Sequence, residues 1–357
     1  MAKALTLTII TSKASSLNYG ETIGNVSVLK KVSLGDGSQI TYVSDKALKY
    51  EIRRKGKEEK GWKLLDKLIK EYIQNEGRIV IKERESEEKK KKKKKIRVYD
   101  VDSLGIDLVK NFEEFDLFGG LFTKIIVNGK EVKKLKKDKI SEEDIYYPEE
   151  YDSVKRTSPV KVTYAFSISK FQGDLDFMNN IDAYNRYIKH VGEAEEQRIV
   201  QTEQHTSHYY YTLTVDLDRV GVWEKEEGVE EVLSNEEKAK RVKDLLDIIL
   251  TLSRQIKGRW ENLSPVFVIG GVFSVKNPFF EDGILAKEVD NQLLLNVQRL
   301  KDCAELVPEG EEILCGIRSG VFANEEEIRQ ELNAKSVKEV FEELKKRVEE
   351  VYGVSKS

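Results

Sequence analysis

Apolar and polar residues alternate at the start of the chain, with Leu5, Leu7 and Ile9 set against Thr6 and Thr8, the period of a strand with at least one buried face. The same period returns at Val160, Val162, Tyr164, Phe166 and Ile168 behind Pro159, and at Tyr209, Tyr211, Leu213, Val215 and Leu217, and predicts a strand at each. Residues 265–271 are apolar throughout and end in Gly270 and Gly271, predicting a buried strand whose glycines serve a tight turn. Helical spacing takes over elsewhere. Ser44 offers an N-cap oxygen, Asp45 suits the positive end of the helix dipole and Gly56 is a stop signal, predicting a helix over 45–55. Trp62, Leu64, Leu65, Leu68, Ile69, Tyr72 and Ile73 predict a second, core-facing helix up to Gly77. Ser234 to Glu237 reads as a capping box, and Val242, Leu245, Leu246, Ile249, Leu252 and Ile256 carry that helix to Gly258. A last helix opens at Ser336 with Glu339 and buries Val340, Phe341, Leu344 and Val348.

Between these elements lie long insertions. Ile79 to Ile81 and Ile96 to Val98 read as paired strands, joined by an acidic block at 83–88 and lysine at every position from 89 to 95. Like charges repel and cannot pack, so this tract reads as a solvated hairpin tip, with a phosphate-seeking arm as the sharper alternative. Phe112, Phe115, Phe118, a Gly119-Gly120 turn and an Asn128-Gly129 hairpin signal mark an insertion packed on the core, with one helical turn capped by Ser141. The polar stretch 170–207 lacks a clean period at its start and reads as a projecting loop or hairpin. Strands interleaved with helices and insertions predict an α+β fold, a sheet with helices on one face, in one elaborated domain.

Composition and charge adjust this picture. Cys303 and Cys315 have no Cys or His partner at ligand spacing, which argues against a zinc site and for free thiols in a reducing compartment. No signal peptide or bilayer-length apolar run is visible, so the expectation is a cytoplasmic protein with no membrane partner. Charged residues make up 35% of the chain while Met and Cys number 2 each, a balance that suits a hot habitat. The net charge of -3 does not announce a nucleic-acid binder, but its distribution is uneven. Residues 1–57 hold 10 Lys/Arg against 4 Asp/Glu, and residues 300–357 hold 9 against 14, allowing a basic groove beside an acidic surface.

The basic excess falls on one stretch. A Gly/Asn-rich segment from Ser12 to Glu21, with Lys13 and Asn18, continues through Lys30 and Lys31 and turns at Gly35-Asp36-Gly37; it reads as a loop able to wrap a polyanion. On the helix that follows, Lys46, Lys49, Arg53 and Arg54 occupy the polar sides, with Lys49 and Arg53 four apart and able to reach one strip of phosphates. A rival chemistry is thin. His205 and His208 sit in strand context and read as polar contacts rather than metal ligands, although with Tyr209 and Lys189 they supply the residue types of a metal-independent ribonuclease. No phosphate-binding Walker loop, nucleophile elbow or His-Glu-x-x-His occurs, and neither a metal nor a cofactor is expected.

Two motifs in this stretch, Ser15-Ser16-Leu17-Asn18-Tyr19-Gly20-Glu21-Thr22-Ile23-Gly24 and Tyr42-Val43-Ser44-Asp45-Lys46-Ala47-Leu48-Lys49-Tyr50-Glu51-Ile52-Arg53-Arg54, resemble the DevR-type backbone subunit of subtype I-B Cascade, the RNA-guided CRISPR interference complex. This is the seventh Cas family, within the RAMP superfamily. Phe118-Gly119-Gly120, Ser158-Pro159-Val160 and Trp260-Glu261-Asn262-Leu263-Ser264-Pro265 extend the likeness over most of the chain. The resemblance implies a ferredoxin-like, RRM-related palm (1–55, 157–169 and 208–357), a helical fingers insertion (56–156) and a thumb hairpin (170–207). It further implies no catalysis, and copies stacked head to tail on one CRISPR RNA beside other Cascade subunits, with target DNA met through the guide. By the same resemblance Asn18, Ser44, Lys46, Lys49 and Arg53 lie on guide phosphates, and the thumb residues Phe171, Gln172 and Met178 prise bases apart. Charge alone adds Lys13, Lys30, Lys31 and Arg54. The alternative within the superfamily is a ribonuclease that processes CRISPR RNA through His205 or His208, or cuts target RNA with Asp36.

Overall fold

The computed structural model describes residues 3–15, 18–85, 93–135, 141–178, 181–192, 200–256 and 258–354. Its framework runs β1 (Ala4–Thr11), β2 (Lys31–Ser33), β3 (Gln39–Val43), α1 (Asp45–Lys60), β4 (Val160–Val162), β5 (Ala165–Ser167), β6 (Tyr209–Asp216), α2 (Asn235–Leu250), β7 (Pro265–Phe273), β8 (Leu314–Ile317), β9 (Lys335–Ser336) and α3 (Val337–Tyr352). The strands form one sheet in the order β9-β8-β7-β1-β6-β5-β3-β2, with β4 also paired to β6. Every pairing is antiparallel except β8 with β9. The protein is thus mixed α and β, as its interleaved periods predict.

All eight residues of β1 are buried, because both faces of the sheet are covered there. On one face Leu5, Leu7, Ile9, Tyr209, Tyr211 and Leu213 pack against Ile52 of α1, Val242 and Leu246 of α2, and Phe341 and Leu344 of α3. On the other, Ile10, Phe267 and Ile269 pack beneath Phe280, Leu300 and Ile328 of the C-terminal part. The threonines between them are also buried, and Thr8 satisfies its hydroxyl on Thr212 at 2.8 Å. Each fully buried large apolar side chain contributes roughly 1.5–3 kcal/mol, so this double-sided strand is the mechanical centre of the fold.

Several sequence expectations are corrected. Gly270 and Gly271 sit within β7, opposite Leu7 and Thr6 of β1, and make no turn. A Cβ on Gly270 would lie 1.9 Å from the Thr6 carbonyl oxygen, so glycine permits the close approach of two strands. The predicted strand 160–168 is broken in two. Val160 and Val162 face Val215 and Leu213, but Phe166 faces Tyr210, a shift of one residue that places a bulge at Thr163 and Tyr164. Ala165 and Ser167 therefore point inward, and Tyr164 is 46% exposed.

Helix α1 runs past Gly56 to Lys60 and stops at Gly61, whose φ is 70°. Gly56 is helical because the Trp62 ring folds back on it, leaving 2.2 Å for a Cβ. The helix expected from Trp62 shrinks to Ile69–Ile73. Its beginning is pulled straight where the Lys63 and Leu65 amides donate to the carboxylates of Glu113 and Glu114, at 2.8 and 2.6 Å. Likewise α2 ends at Leu250, and Ile256 belongs to a hairpin, Ser253–Ile256 with Arg259–Asn262. Ser141 caps a turn, accepting from the Glu143 amide at 3.3 Å, and no helix follows.

Other expectations hold. The capping box of Ser336 and Glu339 opens α3. Asn128 and Gly129 make a hairpin with positive φ at both residues, 51° and 75°. Ile79–Glu85 pairs with Lys93–Tyr99 in a separate five-stranded sheet; residues 86–92 of the charged tract lie outside the described residues. That sheet and the helices Val101–Asn111 and Glu113–Phe118 share a core with Trp223. Cys303 and Cys315 are both unpaired. No helix among the described residues is long and apolar enough to cross a membrane.

Candidate nucleic-acid interface

From Tyr19 to Leu29 the polar stretch after β1 is a hairpin rather than a loop. Tyr19–Ile23 and Val26–Leu29 are its two strands, and Val200–Gln204 pairs with that hairpin on one side and with Asp174–Met178 on the other. The expected wrapping loop and the expected hairpin at 170–207 are therefore halves of one four-stranded sheet, with the helix Ile181–Val191 in the connection. Isolated hairpins are marginal in water, which is why two segments so far apart in sequence complete each other.

Glu203 ties this sheet to the framework. Its carboxylate accepts from both the Leu29 amide and the Lys31 ammonium at 2.8 Å. Lys31 also lies 4.4 Å above the Phe171 ring, and Phe171 meets His205 edge-on at 5.7 Å. Lys31 and Phe171 are thus half-buried and engaged with protein groups, where their charge and surface hold the two sheets together. Gln172 is exposed; Met178 pairs with Val200 through its backbone, and its side chain lies outside the described residues.

At the start of α1 the geometry turns outward. The Ser44 hydroxyl accepts from the Ala47 amide at 3.4 Å, and the Ser44 amide donates to Asn18 Oδ1 at 3.0 Å. Asn18 thus orients the helix N-terminus, whose dipole favours anions. Lys46 is exposed with no ion pair among the described residues, and Lys49 sits 3.5 Å from Asp45. Lys161 on β4 is exposed nearby; burial, then the positive charges of Lys49 and Arg219, push its pKa down. Alternation about the inward Val160 and Val162 was the signal that could have found it.

The remaining basic candidates are placed differently. Arg53 pairs with Glu114 at 2.9 Å and lies over Phe118, joining α1 to the insertion. Arg54 points elsewhere, to Glu51 at 2.8 Å, Glu58 at 2.5 Å and the face of Trp260. At about 100° per residue it cannot share the strip of Lys49 and Arg53. Lys13 pairs with Glu288 at 3.1 Å, and Lys30 is half-buried beside Gly20. Around this helix N-terminus Lys46 and Lys161 are exposed, while Lys49 is half-buried and held by Asp45 of its own helix.

The catalytic candidates are each engaged by neighbouring groups, His205 buried, His208 half-buried and Asp36 exposed. His205 is 7% exposed, its Nδ1 2.8 Å from Thr41 Oγ1 and its Nε2 3.2 Å from Ser169 Oγ. His208 Nδ1 donates to the Thr11 carbonyl at 2.8 Å, and desolvation depresses both imidazole pKa values. Asp36 accepts from Lys170 and Ser38, which hold its carboxyl far below the usual range. No cluster of His, Cys, Asp and Glu fit to hold a metal occurs among the described residues.

These features define a mixed α/β protein whose large sheet carries two inserted sheets and presents a cationic helix N-terminus at one edge. Residues 7–287 match the family described as CRISPR-associated negative auto-regulator DevR/Csa2, and the chain belongs to that family. A solved chain described as "CRISPR RNA-guided surveillance complex, pre-nicking" aligns over 98% of this chain and 89% of that one, at 13% identity and a TM-score of 0.44. A second, described as "CRISPR RNA-guided surveillance complex", aligns over 88% and 87%, at 16% identity and a TM-score of 0.46. No curated protein matches the chain.

Proposed function

We propose that this protein is a non-catalytic, RNA-binding backbone subunit of a subtype I-B interference complex, whose copies stack head to tail along one guide RNA and leave its bases to pair with target DNA. Membership of the DevR/Csa2 family over residues 7–287 carries this reading. The topology supports the palm. Chain order β1, α1, β4 with β5, β6, α2, β7 and sheet order β7, β1, β6, then β4 with β5, interleave as a ferredoxin-like βαββαβ unit does. The projecting sheet built on Asp174–Met178 and Val200–Gln204 suits a thumb, and the insertion from Gly61 to Arg156 suits the fingers.

Few phosphate contacts per copy explain how a nearly neutral chain serves a polyanion. Each neutralised phosphate on a single strand contributes a salt slope of only about -0.7, but copies on one RNA convert later binding into near-intramolecular steps worth roughly 10²–10⁴ in avidity. A heterologous contact that does not close grows a helix rather than a ring.

Expression with and without a CRISPR array, followed by sizing and sequencing of bound RNA, tests the reading. Lys46→Ala with Lys49→Ala is expected to abolish co-purification of long RNA while leaving the fold intact; retention of normal RNA would overturn it. Arg53 is left in place because its partner Glu114 makes it structural as well. Site-specific cleavage of repeat RNA or guide-complementary RNA, lost on substituting His205, His208 or Asp36, would establish the ribonuclease instead.

A further inference from the structure

The sheet face opposite the helices is covered over β7 and β1 but opens beyond β6. Four aromatic rings line the open part. Phe166 stands opposite both Tyr210 and Tyr42 in register, so the three rings cross β6, β5 and β3 in one row, with centroids 6.2 and 6.0 Å apart. The bulge turns Tyr164 onto the same face, where it stacks on Tyr42 at 5.1 Å with 20° between planes and meets Phe166 edge-on at 6.2 Å. Tyr164 is 46% exposed and Val32, at the outer edge, 40%. Tyr42, Phe166 and Tyr210 are half-buried, so the row is partly open to solvent and most exposed at Tyr164, and such a patch marks an interaction surface.

Its border is cationic. Inward Val160 and Val162 put Lys161 on the ring face, exposed and adjoining Lys49 of α1. At the far end Tyr210 lies near Glu281 and Arg299, where the C-terminal part walls the row off. Planar rings rather than aliphatic knobs, bordered by lysines on one side only, match the two halves of a nucleotide: base faces on the rings and phosphates on the amines.

We propose that Tyr42, Tyr164, Phe166 and Tyr210 form a stacking platform for unpaired bases of single-stranded RNA, with the backbone passing Lys161, Lys49 and Lys46. The platform rests on the RNA-binding reading and deepens it, because it adds a contact to bases beside the contact to phosphates. Stacking is tolerant of sequence, since every base has a π-face. The rings and the lysines also act through separable physics: losing a ring removes affinity at all salt concentrations, whereas losing a lysine changes the salt slope.

Fluorescence anisotropy with a labelled short oligouridylate tests this on the purified full-length protein across a salt series. Tyr164→Ala is expected to weaken binding about 5- to 140-fold with an unchanged salt slope, and Tyr164→Phe to retain it. Lys161→Ala is expected to flatten the slope by about 0.7. A duplex RNA of the same length should be indifferent to Tyr164→Ala. Tyr164 is half-exposed, so its variants test binding rather than folding, and an unchanged thermal midpoint checks this. If wild type binds the oligouridylate and Tyr164→Ala binds within twofold of it, the platform is overturned while the RNA-binding reading stands. Loss of self-association with intact RNA binding also overturns it and makes the row a protein-docking face. If wild type binds no single-stranded RNA, both fall.

Discussion

Replacing Asp116 with alanine should be among the most damaging single changes in this chain. Asp116 is fully buried between the insertion and the framework. Its Oδ1 accepts from Arg156 at 2.6 Å and from the Gly221 amide at 2.8 Å, and its Oδ2 accepts from Arg241 at 2.9 Å. Both guanidiniums are themselves buried and spend their other N–H groups on backbone carbonyls, Arg156 on Arg219 and Arg241 on Val109 and Lys110, at 2.7 to 2.9 Å. Burial pushes the Arg156 pKa down, a sign of how much its charge depends on this carboxylate. Removing one partner of a buried pair costs about 3–5 kcal/mol, and orphaning the Gly221 amide adds roughly 1–3, less than additively since the groups touch. A loss of about 4–6 kcal/mol follows, against a total stability of roughly 5–15 kcal/mol for a folded protein. Urea titration followed by tryptophan fluorescence reads it, because Trp223 adjoins Val222, whose carbonyl accepts from Arg156. Asp116→Asn keeps shape and part of the hydrogen bonding without the charge, and should fall between wild type and alanine. A loss below about 1 kcal/mol for Asp116→Ala would refute the charge argument.

Two further outcomes follow from buried groups. Gly270→Ala should prevent folding, because its Cβ would meet backbone at 1.9 Å and no side chain can rotate away; soluble expression with a native circular-dichroism spectrum would contradict this. Acid should destabilise the protein through His205 and His208, whose folded pKa values lie below the ordinary 6.5 because of desolvation. Above that value both states are neutral and nothing is at stake; as pH falls through it, the unfolded chain binds protons that the desolvated rings refuse. Stability is therefore lost downward from the ordinary value toward the folded ones, at no more than about 1.4 kcal/mol per pH unit for each ring. Urea midpoints at stepwise lower pH should show a slope that His205→Gln with His208→Gln reduces, and an unchanged slope would count against the assignment.

Much of the framework was legible in the residues. The alternation of β1 and β6, the Ser44 cap, the Ser336 capping box and the Asn128-Gly129 hairpin are local signals, in which residues within a few positions of one another decide dihedral angles. The family motifs share this locality, and they include Asn18 and Ser44, whose hydrogen bond gives the motif pair a physical reason to occur together.

What the residues alone did not decide was where each charge and each ring is used. Lys31 and Glu203 are 172 positions apart, and only tertiary contact turns a candidate phosphate ligand into a clamp between sheets. Arg53 and Lys49 read alike along α1, yet Glu114 from the insertion claims one while the other stays at the helix N-terminus. The partly open row of rings depends on a bulge at Thr163 and Tyr164, set by pairing with β6 rather than by any turn residue nearby. Local residue patterns set β1, β6 and the capped helix starts, because those choices are made over a few bonds, whereas the hairpin over 19–29 and the break at Thr163 depend on distant strand partners. The tertiary structure decided which cations face solvent and which aromatics are shared between strands, because those choices depend on partners that only folding brings within a few ångströms.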